Sequence, residues 1–107
     1  MIIKVRGIEY TIVFKDEIKD KSEGFYFGLC EYDKQIIQIN NKVSNERVKQ
    51  TLLHEITHAY HFEYYGCHMF KDKGEFLAEF VSLCAEKIIE KTNEVYKYYL
   101  EGVEWLY

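Results

Sequence analysis

No proline occurs among the 107 residues of this chain, so helix ends must be made by glycine and polar caps rather than by a ring that cannot continue the helix. Cysteine is scarce. Cys30, Cys67 and Cys84 are odd in number, far apart and never in a C-x-x-C pair, which argues against a disulfide framework and a zinc ribbon and suits a reducing compartment. Long hydrophobic runs are missing too. No stretch approaches the ~20 apolar residues of a membrane span, and charges interrupt Met1-Ile2-Ile3-Lys4-Val5-Arg6 before a signal region can form. A net charge of −4 leaves no basic footprint for nucleic acid or an anionic membrane. The expectation is a soluble, cytoplasmic protein that binds neither.

What is present points to a folded domain. A hydrophobic share of 48%, with 17% aromatic residues and ten tyrosines, is too high for disorder and predicts a core of large rings. The length fits one domain, residues 1–107, with no room for a second lobe, so any chemistry must sit on the only core. Residues 2–6 and 8–14 are β-branched and aromatic and meet at Gly7, which predicts a hairpin. The charged segment 15–23 reads as a loop. Residues 25–32 and 35–40 read as two further strands joined through Asp33-Lys34, with Ile37 and Ile39 on one face and Gln38 on the other. The first half is therefore expected to be a small antiparallel sheet of three to four strands.

Helices should follow. Ser44 is a candidate N-cap with Glu46 in the first turn, and the helix it opens should run to about Tyr65 and stop at Gly66. Asp72 with Glu75 forms a candidate capping box for a second helix reaching about Glu90, expected to be largely buried because Leu77, Phe80, Val81, Cys84 and Ile88 spread round its circumference. Thr92 is a candidate cap for a third helix carrying Val95, Tyr99, Trp105 and Leu106. The fold class is α+β, a sheet followed by two to three helices.

One stretch carries chemistry. Leu52-Leu53-His54-Glu55-Ile56-Thr57-His58-Ala59 reads H-E-x-x-H in a helical context, the pattern in which two histidines hold a zinc ion and the glutamate acts as general base. An α-helix turns ~100° per residue, so His54 and His58 share a face one turn apart and can aim at one ion. Glu55 flanks the ion without having to bind it. Two histidines could share a helix by chance, but only four occur in the chain, and the intervening glutamate and apolar flanks favour a metal site.

A catalytic zinc usually keeps three protein ligands and one open position. His61 is ~10 Å along the axis from His54, too far to share its ion, and Tyr64 stands where the longer H-E-x-x-H-x-x-G-x-x-H pattern would need a histidine. His61, Tyr64 and His68 are candidates for an oxyanion or substrate contact instead. Glu75 and Glu79, one turn apart at the start of the second helix, are the candidate third ligands. Glu75 is favoured, with Glu79 accepting the free N–H of a ligating histidine; were Glu75 engaged in the capping box, Glu79 would take its place.

These motifs resemble the ImmA/IrrE-like metallopeptidases of phages and mobile elements. The resemblance rests on residues 49–59, on Gly28-Leu29-Cys30-Glu31-Tyr32 with residues 35–40, and on Glu75-x-x-Ala78-Glu79, and it spans about residues 1–90. The family motif ends in Asn or Asp where this chain has Glu79, a departure that leaves the choice between Glu75 and Glu79 open. The resemblance implies a zincin-like fold and zinc-dependent hydrolysis of a peptide or protein substrate through a water on the metal activated by Glu55. Repressor cleavage, known in larger members that carry a recognition segment, does not transfer to a chain of this length. A rival function is a non-catalytic protein-binding module presenting Tyr96, Tyr98, Tyr99, Trp105 and Tyr107. A structural zinc is weaker, since no cysteine stands near His54.

Overall fold

The computed structural model describes residues 1–18, 27–66 and 73–106, except for the side chains of Lys73, Glu75 and residues 103–106. The expected capping box at Asp72 and Glu75, together with Cys67 and His68, therefore lies outside the described residues and side chains. The described chain is α+β, a four-stranded sheet followed by two helices.

Strands β1 (Ile2–Val5) and β2 (Ile8–Lys15) form the expected hairpin, with Val5 opposite Ile8. Its two-residue turn has positive φ at both Arg6 (52°) and Gly7 (80°), the geometry that matches the twist of paired strands. Glycine adopts it freely. Arg6 is held there by its side chain, which donates to the Glu63 carbonyl at 3.0 Å and lies over the Tyr64 ring. Strands β3 (Gly28–Glu31) and β4 (Ile36–Asn40) form a second antiparallel hairpin, and Ile37 and Ile39 point into the core as their alternation predicts.

The sheet is mixed rather than wholly antiparallel. Its order is β1-β2-β4-β3, and β2 runs parallel to β4, pairing Ile12 with Ile37 and Phe14 with Ile39. Alternation within a strand reveals which face is buried but not which strand lies beside it. The connection from β2 to β3, residues 16–27, is long enough to carry β3 past the position of β4 to the outer edge. That placement matters for function, because β3 becomes an edge strand against the first helix.

Helix α1 (Asn45–Tyr65) starts and stops where the sequence indicates. Ser44 accepts the Arg47 N–H at 3.2 Å, and Gly66, in the left-handed region at φ 65°, donates its N–H to the Phe62 carbonyl. Val48, Leu52, Ile56 and Ala59 recur at helical spacing and are fully buried, which fixes the face that α1 lays on the sheet. The second and third helices expected from sequence are one. Helix α2 runs unbroken from Lys73 to Leu106, 34 residues. Thr92 does not cap anything: its hydroxyl donates back to the Ile88 carbonyl at 2.7 Å, inside the helix, and its side chain is buried. The stripe Phe80, Cys84, Ile88 and Val95 continues across that point and keeps α2 on the core. The burial is one-sided, however, and Leu77 and Val81 are exposed, contrary to the expectation of a helix covered on most sides.

The late aromatics are mostly packing residues. Tyr99 meets Phe14 with ring centroids 4.7 Å apart, and Tyr96 stacks beside Tyr99 under the Lys49 ammonium. Among the described side chains of the proposed aromatic platform only Tyr98 is exposed; Trp105 and Tyr107 lie outside the description.

Candidate metal centre

The site is built on the middle of α1, where support is strongest. Leu52, Ile56 and Ala59 pin this stretch to the sheet, and the turn leaves His54 and His58 together on the solvent side. Their Nε2 atoms are 3.1 Å apart and the ring planes are inclined at 74°. Two nitrogens each ~2.0–2.1 Å from one tetrahedral ion lie about 3.4 Å from each other. The pair is thus within a few tenths of an ångström of the spacing zinc requires, and the donor set suits it. With a Glu55 oxygen the three ligand atoms lie within 4.8 Å of one another, the metal-capable group found among the described residues.

Burial separates the roles these groups can play. Glu55 is 7% exposed, and burial pushes its carboxyl above the usual carboxylate range while His54 pulls it partly back. His58 is held below the usual imidazole range by burial and then by His54 and His61, which keeps it in the neutral form that metal binding needs. A proton-accepting carboxylate thus stands beside the histidine pair.

What encloses Glu55 is the edge strand. Gly28 of β3 comes so near α1 that a Cβ built on it would lie 2.5 Å from Thr51 Cγ2 and 2.9 Å from Glu55 Cγ. Thr51 cannot easily yield, because it is β-branched and its hydroxyl is tied to the Arg47 carbonyl at 2.7 Å. Only glycine lets the strand lie this close. The approach leaves an open cleft of about 290 Å³ lined by Phe27, Gly28, Arg47, Gln50, Thr51, His54 and Glu55. Sequence reasoning gave no role to Gly28, Arg47, Gln50 or Thr51. The usable signal was a glycine inside the expected strand 25–32, a position that often marks close backbone approach.

Gly28→Ala should therefore destabilise the protein by about 1–3 kcal/mol, the cost of overpacking, and disturb Glu55. Adding Thr51→Ser, which removes the nearer clashing methyl, should recover part of the loss. Urea unfolding of the single and double variants measures both, and equal stability of Gly28→Ala and the parent would refute the close fit.

Cys30, two residues along β3, shows the same enclosure chemically. Burial, followed by the carboxylates of Glu55, Glu63 and Glu31, pushes its thiol up to about 12. At pH 8 that leaves a thiolate fraction of about one in ten thousand, against roughly a quarter for an ordinary thiol near 8.5. Iodoacetamide at pH 8 should alkylate Cys30 at least ~100-fold more slowly than glutathione, read by peptide mass mapping; alkylation at the glutathione rate would contradict this.

The remaining candidates fall in different places. Tyr64 is engaged on another face of α1, stacked on Tyr60 and accepting a hydrogen bond from Lys87 Nζ at 3.1 Å. Neighbouring residues on a helix point ~100° apart, and six residues separate Tyr64 from His58 by about 120°. His61 does follow His58 on the same side but is half-buried among Tyr65, Phe76 and Phe80, its ring centroid 5.4 Å from that of Phe76. Glu79 is exposed on α2, near enough to Tyr65 to raise its hydroxyl after burial has done so, and is not among the donors gathered at His54 and His58. The side chain of Glu75 and the whole of His68 are outside the description.

The family model described as SprT-like matches residues 14–93, from the end of β2 through β3, β4 and α1 and into α2. The chain belongs to the SprT-like family. This is a zincin-like, metallopeptidase-related family, and the histidine pair with its glutamate on α1 is what membership leads one to find. No curated protein and no solved structure matches the chain. The match does not specifically show the ImmA/IrrE-like resemblance, which rests on the motifs alone. In this SprT-like chain no described helix is long and apolar enough to cross a membrane.

Proposed function

We propose that this protein is a zinc-dependent peptidase in which His54 and His58 hold the metal and Glu55 is the general base. The observation that carries the reading is the position of Glu55, a buried carboxylate between a zinc-spaced histidine pair and the edge of a sheet. A zinc ion supplies a Lewis acid for the scissile carbonyl and lowers the pKa of water toward ~7. The chain's residues do the rest. Glu55 takes the proton of the attacking water on its carboxylate and returns it to the leaving amine nitrogen. Burial raises its pKa, which strengthens it as the acceptor of the water's proton.

The edge strand offers the peptide a place. Among the described residues β3 pairs with β4 on one side only, so its outer edge is open there to an extended chain, which would then run past Glu55. The third metal ligand is proposed to be Glu75, with Glu79 as second choice. In support, packing of Phe76 on His61 brings the first described turns of α2 beside the α1 turn that follows His58. The free thiols Cys30 and Cys84 suit a cytoplasmic setting. The ImmA/IrrE-like, mobile-element reading draws its support from the motifs at residues 28–32, 35–40, 49–59 and 75–79.

The test is a defined peptide mixture incubated with zinc-loaded protein and searched by mass spectrometry for new amino termini. Cleavage should stop with a chelator and return with zinc. A protein that binds zinc but cuts nothing in the mixture would replace this reading with the protein-binding module.

A further inference from the structure

The cleft beside Glu55 holds a cation that the hydrolytic chemistry does not use. Arg47 stands at the far end of the lining from Glu55, and its guanidinium carbon lies 5.0 Å from the centroid of the Phe27 ring. Among the described residues it has no carboxylate partner; the ion pairs found there join Lys34 to Glu31 and Lys91 to Glu94. The ring of Phe27 supports the guanidinium, and Arg47 is exposed, so its five N–H donors are accessible to a ligand. Gln50, exposed and one turn nearer the base, adds an amide to the same wall. An arginine fork over an aromatic ring, with no carboxylate partner among the described residues, is well formed to receive a carboxylate through two parallel hydrogen bonds.

Distance says which part of a substrate would meet it. Arg47 precedes Glu55 by eight residues, about 12 Å along the helix axis. An extended peptide covers ~3.3 Å per residue, so a chain lying on β3 with its scissile bond at Glu55 brings a residue two to four positions away up to Arg47. The whole protein carries a net charge of −4, so any preference for acidic substrates has to come from a local group such as this one.

We infer that Arg47, held on Phe27 and assisted by Gln50, forms a carboxylate-binding subsite that selects peptides with an acidic group two to four residues from the cleaved bond. The carboxylate can belong to an Asp or Glu side chain or to the free end of the peptide. This rests on the peptidase reading for its substrate, and the experiment separates the two.

Zinc-loaded full-length protein is given peptides in matched sets, with Glu, Gln or Lys at each position and with a free or an amidated carboxyl terminus. Cleavage of the acidic member should exceed its neutral partner by about tenfold, as one charge-assisted hydrogen-bonded pair provides. Arg47→Lys should keep the direction of preference at reduced size, and Arg47→Glu should turn it toward lysine-containing peptides. A preference that follows the free terminus alone identifies the chain end as the carboxylate source; one that follows internal Glu identifies the side chain. In parallel, fluorescent forms of the same peptides are titrated by anisotropy into zinc-loaded Glu55→Gln protein and its Arg47→Glu derivative, with circular dichroism to verify folding. Acid-selective binding that Arg47→Glu abolishes, without cleavage of any peptide by the parent, supports the subsite and overturns the peptidase. Cleavage with acid-to-neutral ratios identical in parent and Arg47→Glu overturns the subsite and leaves the peptidase standing. Neither cleavage nor acid selectivity overturns both.

Discussion

Glu55→Gln is expected to bind zinc as the parent does and to lose hydrolysis by roughly a hundredfold to ten-thousandfold, the range a general base contributes. His54→Ala should lose both. The contrast follows from geometry. Glutamine fills the volume of glutamate, so the enclosure by Thr51 and Gly28 is preserved, and a neutral side chain suits a place where burial already disfavours the charged form. Nothing at the two imidazoles changes. Removing His54 instead deletes one member of the 3.1 Å nitrogen pair, and the surviving His58 cannot offer the paired donors that a tight site requires.

Zinc content and thermal stability read this without reference to turnover. An ion that binds only the folded chain stabilises it by about 4 kcal/mol at a thousandfold excess over its dissociation constant, which for a domain of this size is a rise of more than about 10 °C in Tm. Parent and Glu55→Gln should show that rise with one equivalent of metal after gel filtration, and His54→Ala and His58→Ala should show neither. Stoichiometric zinc and an unchanged Tm rise in His54→Ala would end the assignment.

The second large effect concerns the helix that carries the candidate third ligands. Asn93→Pro should cost about 3 kcal/mol or more, because a proline inside a helix deletes a backbone hydrogen bond and crowds the carbonyl four residues earlier. Position 93 separates the two architectures cleanly. If a third helix began after a cap at Thr92, residue 93 would be its first position, where proline is favoured and the change would be nearly neutral. In the continuous helix from Lys73 to Leu106 the same residue is interior. Its side chain is exposed, so Asn93→Ala should be harmless and serves as the control. Urea unfolding of both variants measures the difference, and a neutral Asn93→Pro would restore the two-helix reading.

The local sequence around Thr92 is compatible with either a break or a continuous helix. Thr92 follows Glu90 and Lys91 and looks like a cap, because threonine is favoured at helix starts for its ability to bond a nearby backbone group. The same hydroxyl can bond backward to the carbonyl four residues earlier, and nothing local to the sequence chooses between the two. Packing chooses. Ile88 and Val95 both reach the core only if the backbone between them stays helical, and the Thr92 hydroxyl then bonds inward. The over-estimate of burial at Leu77 and Val81 has a related origin, since a helix apolar on several sides does not announce which side meets the protein.

The sequence alone determined the parts whose physics is local. The Gly7 hairpin, the Ser44 and Gly66 limits of α1, and the metal-spaced pair His54 and His58 with Glu55 between them all depend on residues within a few positions of one another. Tertiary structure decided what distant segments do to that framework. It set β4 parallel beside β2 and so moved β3 to the edge, pressed Gly28 against Thr51 and Glu55, turned Tyr64 to Lys87, and opened the cleft that Arg47 overlooks. Spacing along a helix follows from 3.6 residues per turn, whereas the approach of a strand to a helix follows from how the whole core closes, which no short run of residues encodes.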